Sequence, residues 1–276
     1  MNNLIIVRGG GDIATGTIHK LHRSGFQVMV LEIDQPSTIR RKVAFSEAMY
    51  ETYSVVEGVT CQRANDLKEA YSILKDGNIP MIRDCNCSIL NDVKPLALVD
   101  AILAKKNLGT MKTMAPITIA LGPGFEAGVD VDAVIETNRG HDLGRIIFHG
   151  FALTNTGVPG VIGGFGKERV IHSPDDGVIR NLCHISDQVN KGQAIAYIGD
   201  TKVEATIDGI LRGIIKNGYH VSKGLKIADI DPRLEEKKNC FTISDKARCI
   251  GGSVLEAIMY LQRGNLHKKE KSDDIF

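Results

Sequence analysis

The sequence predicts an α/β protein, with a Rossmann-like N-terminal domain on a mainly parallel sheet and a β-rich repeat domain after it. Three observations predict this class: strand and helix patterns alternate in the first half, glycines follow the first strand, and the second half carries an internal repeat. We expect domains at 1–168 and 169–235, followed by a C-terminal helix and charged tail at 236–276.

The first domain opens with a strand, a helix and a second strand. Residues 4–8 form a short apolar run, 12–24 show helical spacing of apolar side chains, and 27–33 are rich in β-formers. Later patterns predict helices at Asp66 to Leu74 and Leu96 to Lys105, and strands at Ile79 to Arg83, Ile117 to Leu121, Val134 to Thr137 and Arg145 to His149. Such alternation favours parallel strands with crossover helices on both faces.

The internal repeat relates residues 173–200 to residues 205–232 at an offset of 32, with nine identical positions that include Asp-Gly and Lys-Gly pairs. Each half predicts a strand, a turn and a strand. Two such halves resemble the barrel-sandwich hybrid fold of biotinyl and lipoyl domains. Lys202 lies seven residues before Gly209, closer than the modified lysine of those carriers. We therefore predict a rigid interaction or lid module. An amphipathic helix is expected at Gly251 to Gln262, before an unstructured tail.

The first glycine loop fits G-x-G-x-x-A between a strand and a helix, which is the context of a dinucleotide fingerprint. In that setting helix N-terminal amides bind phosphate. The predicted phosphate contacts are Gly9, Gly10, Gly11, Asp12, Ala14 and Thr15. A second interpretation stays open, in which the glycines serve only the turn and the packing. Asp12 favours it, since its carboxylate could cap the amides.

Residues after the second predicted strand extend the phosphate-binding interpretation. Glu32 and Asp34 are placed to accept ribose hydroxyls, as acids at this position do in dinucleotide-binding folds. Arg40 and Arg41 follow and could pair with a phosphate. These four residues are predicted to hold the nucleotide end of the ligand.

A second glycine-rich loop, "LGPGF", follows the strand that ends at Leu121. Ligands collect at the carboxyl ends of parallel strands, so both loops could face one crevice. The predicted ligand contacts here are Gly122, Gly124, Phe125 and His141. The acids Asp130, Asp132 and Glu136 suit metal coordination or proton transfer, or else a solvated surface. No metal site is assigned. The pair Cys85 and Cys87 is half of a soft-metal site and is interpreted as structural or incidental.

Composition excludes several classes of function. Lys plus Arg (34) nearly balances Asp plus Glu (33) and Trp is absent, so nucleic acid is not a predicted partner. No apolar stretch reaches the roughly 18 residues that a membrane span needs. No secretion signal precedes the six scattered cysteines, which predicts reduced thiols and a cytoplasmic protein.

Several stretches together resemble one family: "RGGGDIATGTIHKLHRSGF", "QPSTIRRKVAFSEAMYE", "LVDAILAKKNLGT", "APITIALGPGFEAGVDVDAVIETNRGHDLGR" and "NTGVPG". They are similar to the YqeB family, accessory proteins of selenium-dependent molybdenum hydroxylases. The glycine loop and "RRKVAFSEA" also resemble other maturation factors of molybdenum hydroxylases. The resemblance implies a maturation role that handles the molybdenum cofactor or selenium, with a client hydroxylase as partner. Cys85 and Cys87 are not part of the pattern.

Three hypotheses of function follow. The first is a maturation factor that binds the molybdenum cofactor or another phosphate-bearing nucleotide. The second is an NAD(P)-dependent oxidoreductase, although the sequence offers no Tyr-x-x-x-Lys or catalytic His-Asp pair for hydride transfer. The third is a noncatalytic scaffold with an empty Rossmann-like domain. Whether the protein is an enzyme, and whether it is a homo-oligomer, are left open by the sequence.

Overall fold

The computed structural model describes residues 3–155, 157 and 160–273, with side chains described through residue 264. Its first eleven strands are β1 (Leu4–Arg8), β2 (Gln27–Glu32), β3 (Tyr53–Val56), β4 (Val59–Ala64), β5 (Ile79–Arg83), β6 (Ala97–Asp100), β7 (Thr118–Leu121), β8 (Glu126–Ala127), β9 (Ala133–Ile135), β10 (Ile146–Ile147) and β11 (Gly150–Phe151). The α-helices are α1 (Asp12–Arg23), α2 (Ala48–Glu51), α3 (Leu67–Lys75) and α4 (Asp245–Asp273). Short 3-10 helices cover Arg41–Val43, Phe45–Glu47, Ser88–Asn91, Lys112–Met114, Lys167–Arg169 and Leu234–Phe241.

Nine strands form one large sheet in the order β10-β9-β7-β6-β1-β2-β5-β4-β3. Every pairing between β4 and β9 in this order is parallel, and only the two edge pairings, β3 with β4 and β9 with β10, are antiparallel. The predicted α/β class with a mainly parallel sheet is therefore confirmed. β1 lies at the centre, so the glycine loop that follows it leaves the sheet at the edge where the parallel strands end.

The two faces of this sheet are covered by different elements. Side chains of β1 alternate between them, as a strand requires: Ile5 and Val7 pack with α1 and α4, whereas Leu4 and Ile6 pack with α3. Several crossovers contain loops and 3-10 turns in place of α-helices. Covering of both faces is thus achieved with fewer α-helices than a regular Rossmann fold uses.

One predicted helix is wrong. Residues 96–105 contain strand β6, which is buried between β1 and β7, followed by an irregular segment in which Leu103 and Lys105 have positive φ. A continuous short apolar run is typical of a strand covered on both faces, and periodicity alone does not distinguish it from a buried helix. The other predicted helices and strands of the first domain are present, with ends shifted by a few residues.

The repeat forms two four-stranded sheets. Its strands are β12 (Val170–His172), β13 (Gly177–Asn181), β14 (Gln188–Val189), β15 (Ala194–Ile198), β16 (Thr201–Glu204), β17 (Gly209–Ile214), β18 (His220–Val221) and β19 (Lys226–Asp231). The sheet orders are β12-β19-β17-β14 and β16-β15-β13-β18. At the offset of 32, each strand of one sheet matches the strand in the same position of the other. Strands β14 and β18 are exchanged between the halves, which clasps the repeats around a shared apolar core.

The C-terminal helix belongs to the first core rather than to a separate unit. α4 begins at Asp245, earlier than predicted, where the Ser244 hydroxyl accepts the Ala247 amide at 3.2 Å. Its apolar face, with Ile250 and Val254, packs in the same cluster as α1. The tail expected to be unstructured is helical as far as Asp273, and residues 274–276 lie outside the described residues. None of the described helices is long and apolar enough to cross a membrane.

Candidate functional site

The first glycine loop is tightly packed against neighbouring segments. Gly9 has φ +92°, and a Cβ there would lie 3.1 Å from the Ala101 carbonyl oxygen. A Cβ on Gly10 would lie 2.6 Å from the Met81 Cε atom. At Gly11 the closest atom to an added Cβ is the Thr38 hydroxyl oxygen at 3.5 Å, an ordinary contact. Turn geometry and packing therefore account for Gly9 and Gly10, whereas a Cβ at Gly11 would meet no clash.

Glu32 occupies a backbone amide of this loop. Its Oε2 accepts the Gly10 amide at 2.7 Å, and its Oε1 accepts the Ile33 amide at 2.8 Å. In a dinucleotide-binding fold the equivalent acid faces a ribose and the loop amides face the pyrophosphate. The protein's own carboxylate thus takes one amide that a pyrophosphate would need. This contact favours the packing interpretation at Gly10.

Burial of Glu32 has a consequence for stability against pH. Burial raises the pKa of Glu32 above its ordinary value near 4.5, while the amides of Ile33 and Gly10 oppose the rise. Between pH 4.5 and the raised pKa of Glu32, the folded state holds a proton that the unfolded state has released. The free energy of unfolding therefore falls as pH rises through this range. We expect the free energy of unfolding of the wild type, relative to Glu32→Gln, to decrease from pH 4.5 upward. Urea unfolding at several pH values measures this, and a constant difference would contradict it.

The start of α1 is not capped by Asp12. No side chain caps the helix at Gly11, and the Asp12 carboxylate pairs with Arg40 at 3.3 Å instead. The first-turn residues Ala14 and Thr15 are buried. The Thr15 hydroxyl donates to the Gly11 carbonyl at 2.9 Å and accepts the Phe45 amide at 2.9 Å. Thr15 therefore fastens the loop to the "RRKVAFSEA" segment rather than facing a cavity.

Arg40 and Arg41 join the first domain to later parts of the chain. Arg40 is buried and donates to the Asn239 and Thr242 carbonyls at 3.0 and 3.3 Å. Burial, then the neighbouring Arg212, lowers the pKa of Arg40. Arg41 donates to the Ile214 carbonyl at 2.9 Å and to the Glu47 carboxylate at 2.8 Å. Both side chains are engaged by protein groups, so the structure gives them a joining role that the sequence did not predict.

The remaining predicted contacts are spread over several places. Phe125 is buried in an apolar cluster with Ala120 and Ala152, and a Cβ on Gly122 would lie 2.6 Å from the Thr137 hydroxyl oxygen. A Cβ on Gly124 would lie 2.6 Å from the backbone of Lys106.

Asp34 is half exposed and lies 4.0 Å from Arg63 and from Arg83. His141 is exposed on a turn and is not among the lining residues of the cavity described below.

The acids that follow the "LGPGF" loop accept hydrogen bonds from backbone amides. Asp132 accepts the Thr118 amide at 2.9 Å, and Asp130 accepts the Glu126 amide at 2.8 Å. Glu136 is buried and accepts the amides of Asn138 at 2.6 Å and Leu153 at 2.8 Å. Among the described residues, no three His, Cys, Asp or Glu side chains are grouped to hold a metal ion. These acids fix the loops beside the sheet edge.

The two cysteines of "RDCNCSIL" are unequal. Cys85 is exposed and Cys87 is buried. Burial raises the pKa of the Cys87 thiol to about 11, so little thiolate forms there at neutral pH. This environment does not favour metal or selenium chemistry at the pair.

A basic cavity of about 820 Å³ lies where the parallel strands end. This open cleft is lined by loops after β6, β7 and β9, by the segment before the repeat, by strands β12 and β19, and by the first turn of α4. Its lining residues include five cations: Lys105, Arg139, Lys167, Lys226 and Lys246. None of the described lining residues is acidic. Such a one-sign cleft attracts and concentrates anions. Thr156, Val158 and Pro159 of the predicted "NTGVPG" loop lie outside the described residues.

Lys246 lines this cavity and interacts electrostatically with Asp12, at the start of α1. Burial lowers the pKa of Lys246 and Arg139 adds to the effect, whereas Asp12 and Glu136 act in the opposite direction. The Glu136 hydrogen bonds described above hold Asn138 and Leu153, which both line the cavity. Sequence reasoning missed the four lysines because they lie far apart along the chain and form no motif. The sequence predicts a ligand crevice at the carboxyl edge of the sheet, and Pro123 of the "LGPGF" loop is a lining residue of this cavity.

Similarity to a known protein bears on this site. The chain is 49% identical over 260 residues to the uncharacterized protein YqeB of Escherichia coli strain K12, which covers 94% of this chain. This similarity supports the resemblance to the YqeB family that the sequence motifs indicate. The chain spans about half the length of that relative, 48%. No family model matches the chain.

Comparison with solved structures gives only remote likeness. An aspartoacylase family protein of Mesorhizobium loti is 10% identical with a TM-score of 0.27, covering 84% of this chain and 86% of that one. The ectoine utilization protein EutE (DoeB) of Ruegeria pomeroyi, with product bound, is 13% identical with a TM-score of 0.26, covering 83% and 85%. Likeness at this level transfers neither fold nor activity.

Proposed function

We propose that this chain binds a phosphate-bearing small molecule in the basic cavity, in support of the maturation of a selenium-dependent molybdenum hydroxylase. One observation carries the binding proposal: five cations and no acidic side chain are found among the described residues that line a cavity at the carboxyl end of the sheet. Like charges that converge on one cavity repel each other, and a bound anion relieves that repulsion. The role in maturation rests on the resemblance to the YqeB family.

The molybdenum cofactor is the ligand that the resemblance favours. It ends in a phosphate, and the lysines of the cavity suit that group because ammonium groups donate charge-assisted hydrogen bonds to phosphate oxygens. Apolar contact for the rest of the ligand is offered by Pro123, Leu153 and Val170. The client hydroxylase is the proposed partner, and the cytoplasm is the proposed location.

The repeat domain has a covering role in this proposal. Val170, His172 and Lys226 of β12 and β19 line the cavity, so the repeat forms one of its walls. We assign the two exchanged four-stranded sheets to the barrel-sandwich hybrid arrangement. The Lys202 ammonium pairs with Glu204 at 2.7 Å, which gives no support to a carrier role for that lysine.

The binding experiment uses inorganic pyrophosphate, CTP, NADP and extracted molybdenum cofactor as probes. A ligand at ~100 times its Kd should stabilise the protein by about 2.7 kcal/mol in thermal unfolding. We expect Lys226→Gln and Lys246→Gln each to weaken binding roughly tenfold or more, the loss of one hydrogen bond to a charged group. Lys202→Gln is the matched control, since its ammonium is exposed and lies on another strand.

A variant of the glycine loop separates the two candidate locations. A Cβ at Gly11 makes only an ordinary contact, so Gly11→Leu should leave binding unchanged if the ligand occupies the basic cavity, but should abolish binding at the α1 N-terminus. Binding that is lost in Gly11→Leu and kept in both lysine variants would overturn the cavity assignment. Stabilisation by NADP with a substrate-dependent absorbance change would favour the oxidoreductase. No response to any probe would favour the noncatalytic scaffold, to which the Glu32 contact with Gly10 lends support.

A further inference from the structure

A second cavity, of about 320 Å³, adjoins the basic cavity. Its charged lining residues are Arg139, Arg212, Arg233 and Asp245. Arg139 lines both cavities. Two pairs of residues adjacent in the chain are divided between the cavities. Gly160 and Lys246 line the basic cavity, whereas Val161 and Asp245 line the second cavity. The boundary between the two spaces therefore runs along the Arg139 side chain.

The boundary is held by one ion pair. The Arg139 guanidinium donates to both carboxylate oxygens of Asp245, at 2.9 and 2.8 Å. The two side chains are 44% and 73% exposed, so solvent screens the pair and it costs little to open. Asp245 is also the carboxylate that a bound anion would have to displace from Arg139.

The second cavity has donors that suit a further anionic group. Arg233 reaches it while pairing with Asp231 at 2.8 Å, and Arg212 lies 3.8 Å from Asp229. The Nε atom of Arg212 is buried and has no hydrogen-bond partner within the described part of the chain. Guanidinium groups bind phosphate or carboxylate with two parallel hydrogen bonds, which lysine does not offer.

We propose that the two cavities are subsites for one ligand with two separated anionic groups, and that this ligand takes Arg139 from Asp245 when it binds. This inference rests on the proposed function, because the first anionic group occupies the basic cavity. Lysines hold that group, and Arg212 and Arg233 receive the second. Arg139 lies between them and contacts the segment that joins the two groups. Asp245 acts as an internal competitor that sets the affinity.

The test compares inorganic pyrophosphate, a short probe, with a short-chain linear polyphosphate, measured by titration calorimetry. We expect Asp245→Asn to tighten binding of both probes about threefold, since it removes the competing carboxylate. Arg139→Gln should weaken both roughly tenfold. Arg233→Gln should weaken polyphosphate binding and leave pyrophosphate binding unchanged. Circular dichroism confirms that each variant is folded.

The matched control is Asp142→Asn, which breaks the exposed Arg145–Asp142 pair a short distance along the chain without touching either cavity. The two-subsite inference would be overturned if Asp245→Asn left the affinity for both probes unchanged. It would also be overturned if Arg233→Gln weakened the binding of pyrophosphate and polyphosphate equally. If pyrophosphate still binds and Lys226→Gln still weakens it, the proposed function survives that result. Failure of pyrophosphate to bind the wild type would contradict both the two-subsite inference and the proposed binding function.

Discussion

Replacement of Arg8 by methionine is expected to lower the free energy of unfolding by about 3–5 kcal/mol. Arg8 and Asp100 are 3% and 2% exposed at the ends of the adjacent strands β1 and β6. Their side chains pair at 3.3 Å, Thr110 donates to Asp100 at 2.6 Å, and Arg8 donates to the Cys85 carbonyl at 2.9 Å. Methionine would leave a buried carboxylate without its cation, as well as an unpaired carbonyl.

Urea unfolding measures this loss. Arg145→Met is the control, because its pair with Asp142 is 69% and 47% exposed and should contribute less than about 1 kcal/mol. Adding Asp100→Leu to Arg8→Met should recover part of the stability, since no buried charge is then left unpaired. If Arg8→Met lowered the free energy of unfolding by less than about 1 kcal/mol, the buried Arg8–Asp100 pair would not be a major stabilising contact.

Two neighbouring glycines of α4 are expected to respond with opposite signs to alanine. A Cβ on Gly251 would lie 2.6 Å from the Gly16 carbonyl oxygen, in the close contact between α1 and α4. Gly251→Ala must therefore force the helices apart, at a cost of about 1–3 kcal/mol. Nothing lies within 4 Å of a Cβ on Gly252, so Gly252→Ala should stabilise the helix by about 0.5–1 kcal/mol.

The two variants serve as controls for each other, because both make the same chemical change in the same helix. Urea unfolding of both, with the wild type, gives the two differences. Stabilisation by Gly251→Ala would mean that the helices do not approach as closely as described. A loss of stability in Gly252→Ala would mean that a Cβ at that position meets a neighbour.

The sequence was informative about the fold wherever a pattern was local. Alternation of side chains in β1, the glycine turn at Gly9 and the 32-residue repeat each reflect contacts within a few residues or between similar units. The strand β6 was misassigned because its apolar run is short and continuous, and its burial between two neighbours depends on the sheet. The same limit applied to α4, whose place beside α1 is decided by a glycine contact between residues 16 and 251.

The candidate site divides in the same way. From the sequence alone one could determine an α/β chain with a glycine-rich turn after its first strand, and locate polar loops at the carboxyl edge of the sheet. Only the tertiary structure decided that Glu32 takes the Gly10 amide, that Arg40 and Arg41 join segments, and that lysines from positions 105 to 246 surround one cavity. The physical reason is that charge acts through space: a field of converging cations depends on where the folded chain brings them, and no spacing along the chain records it.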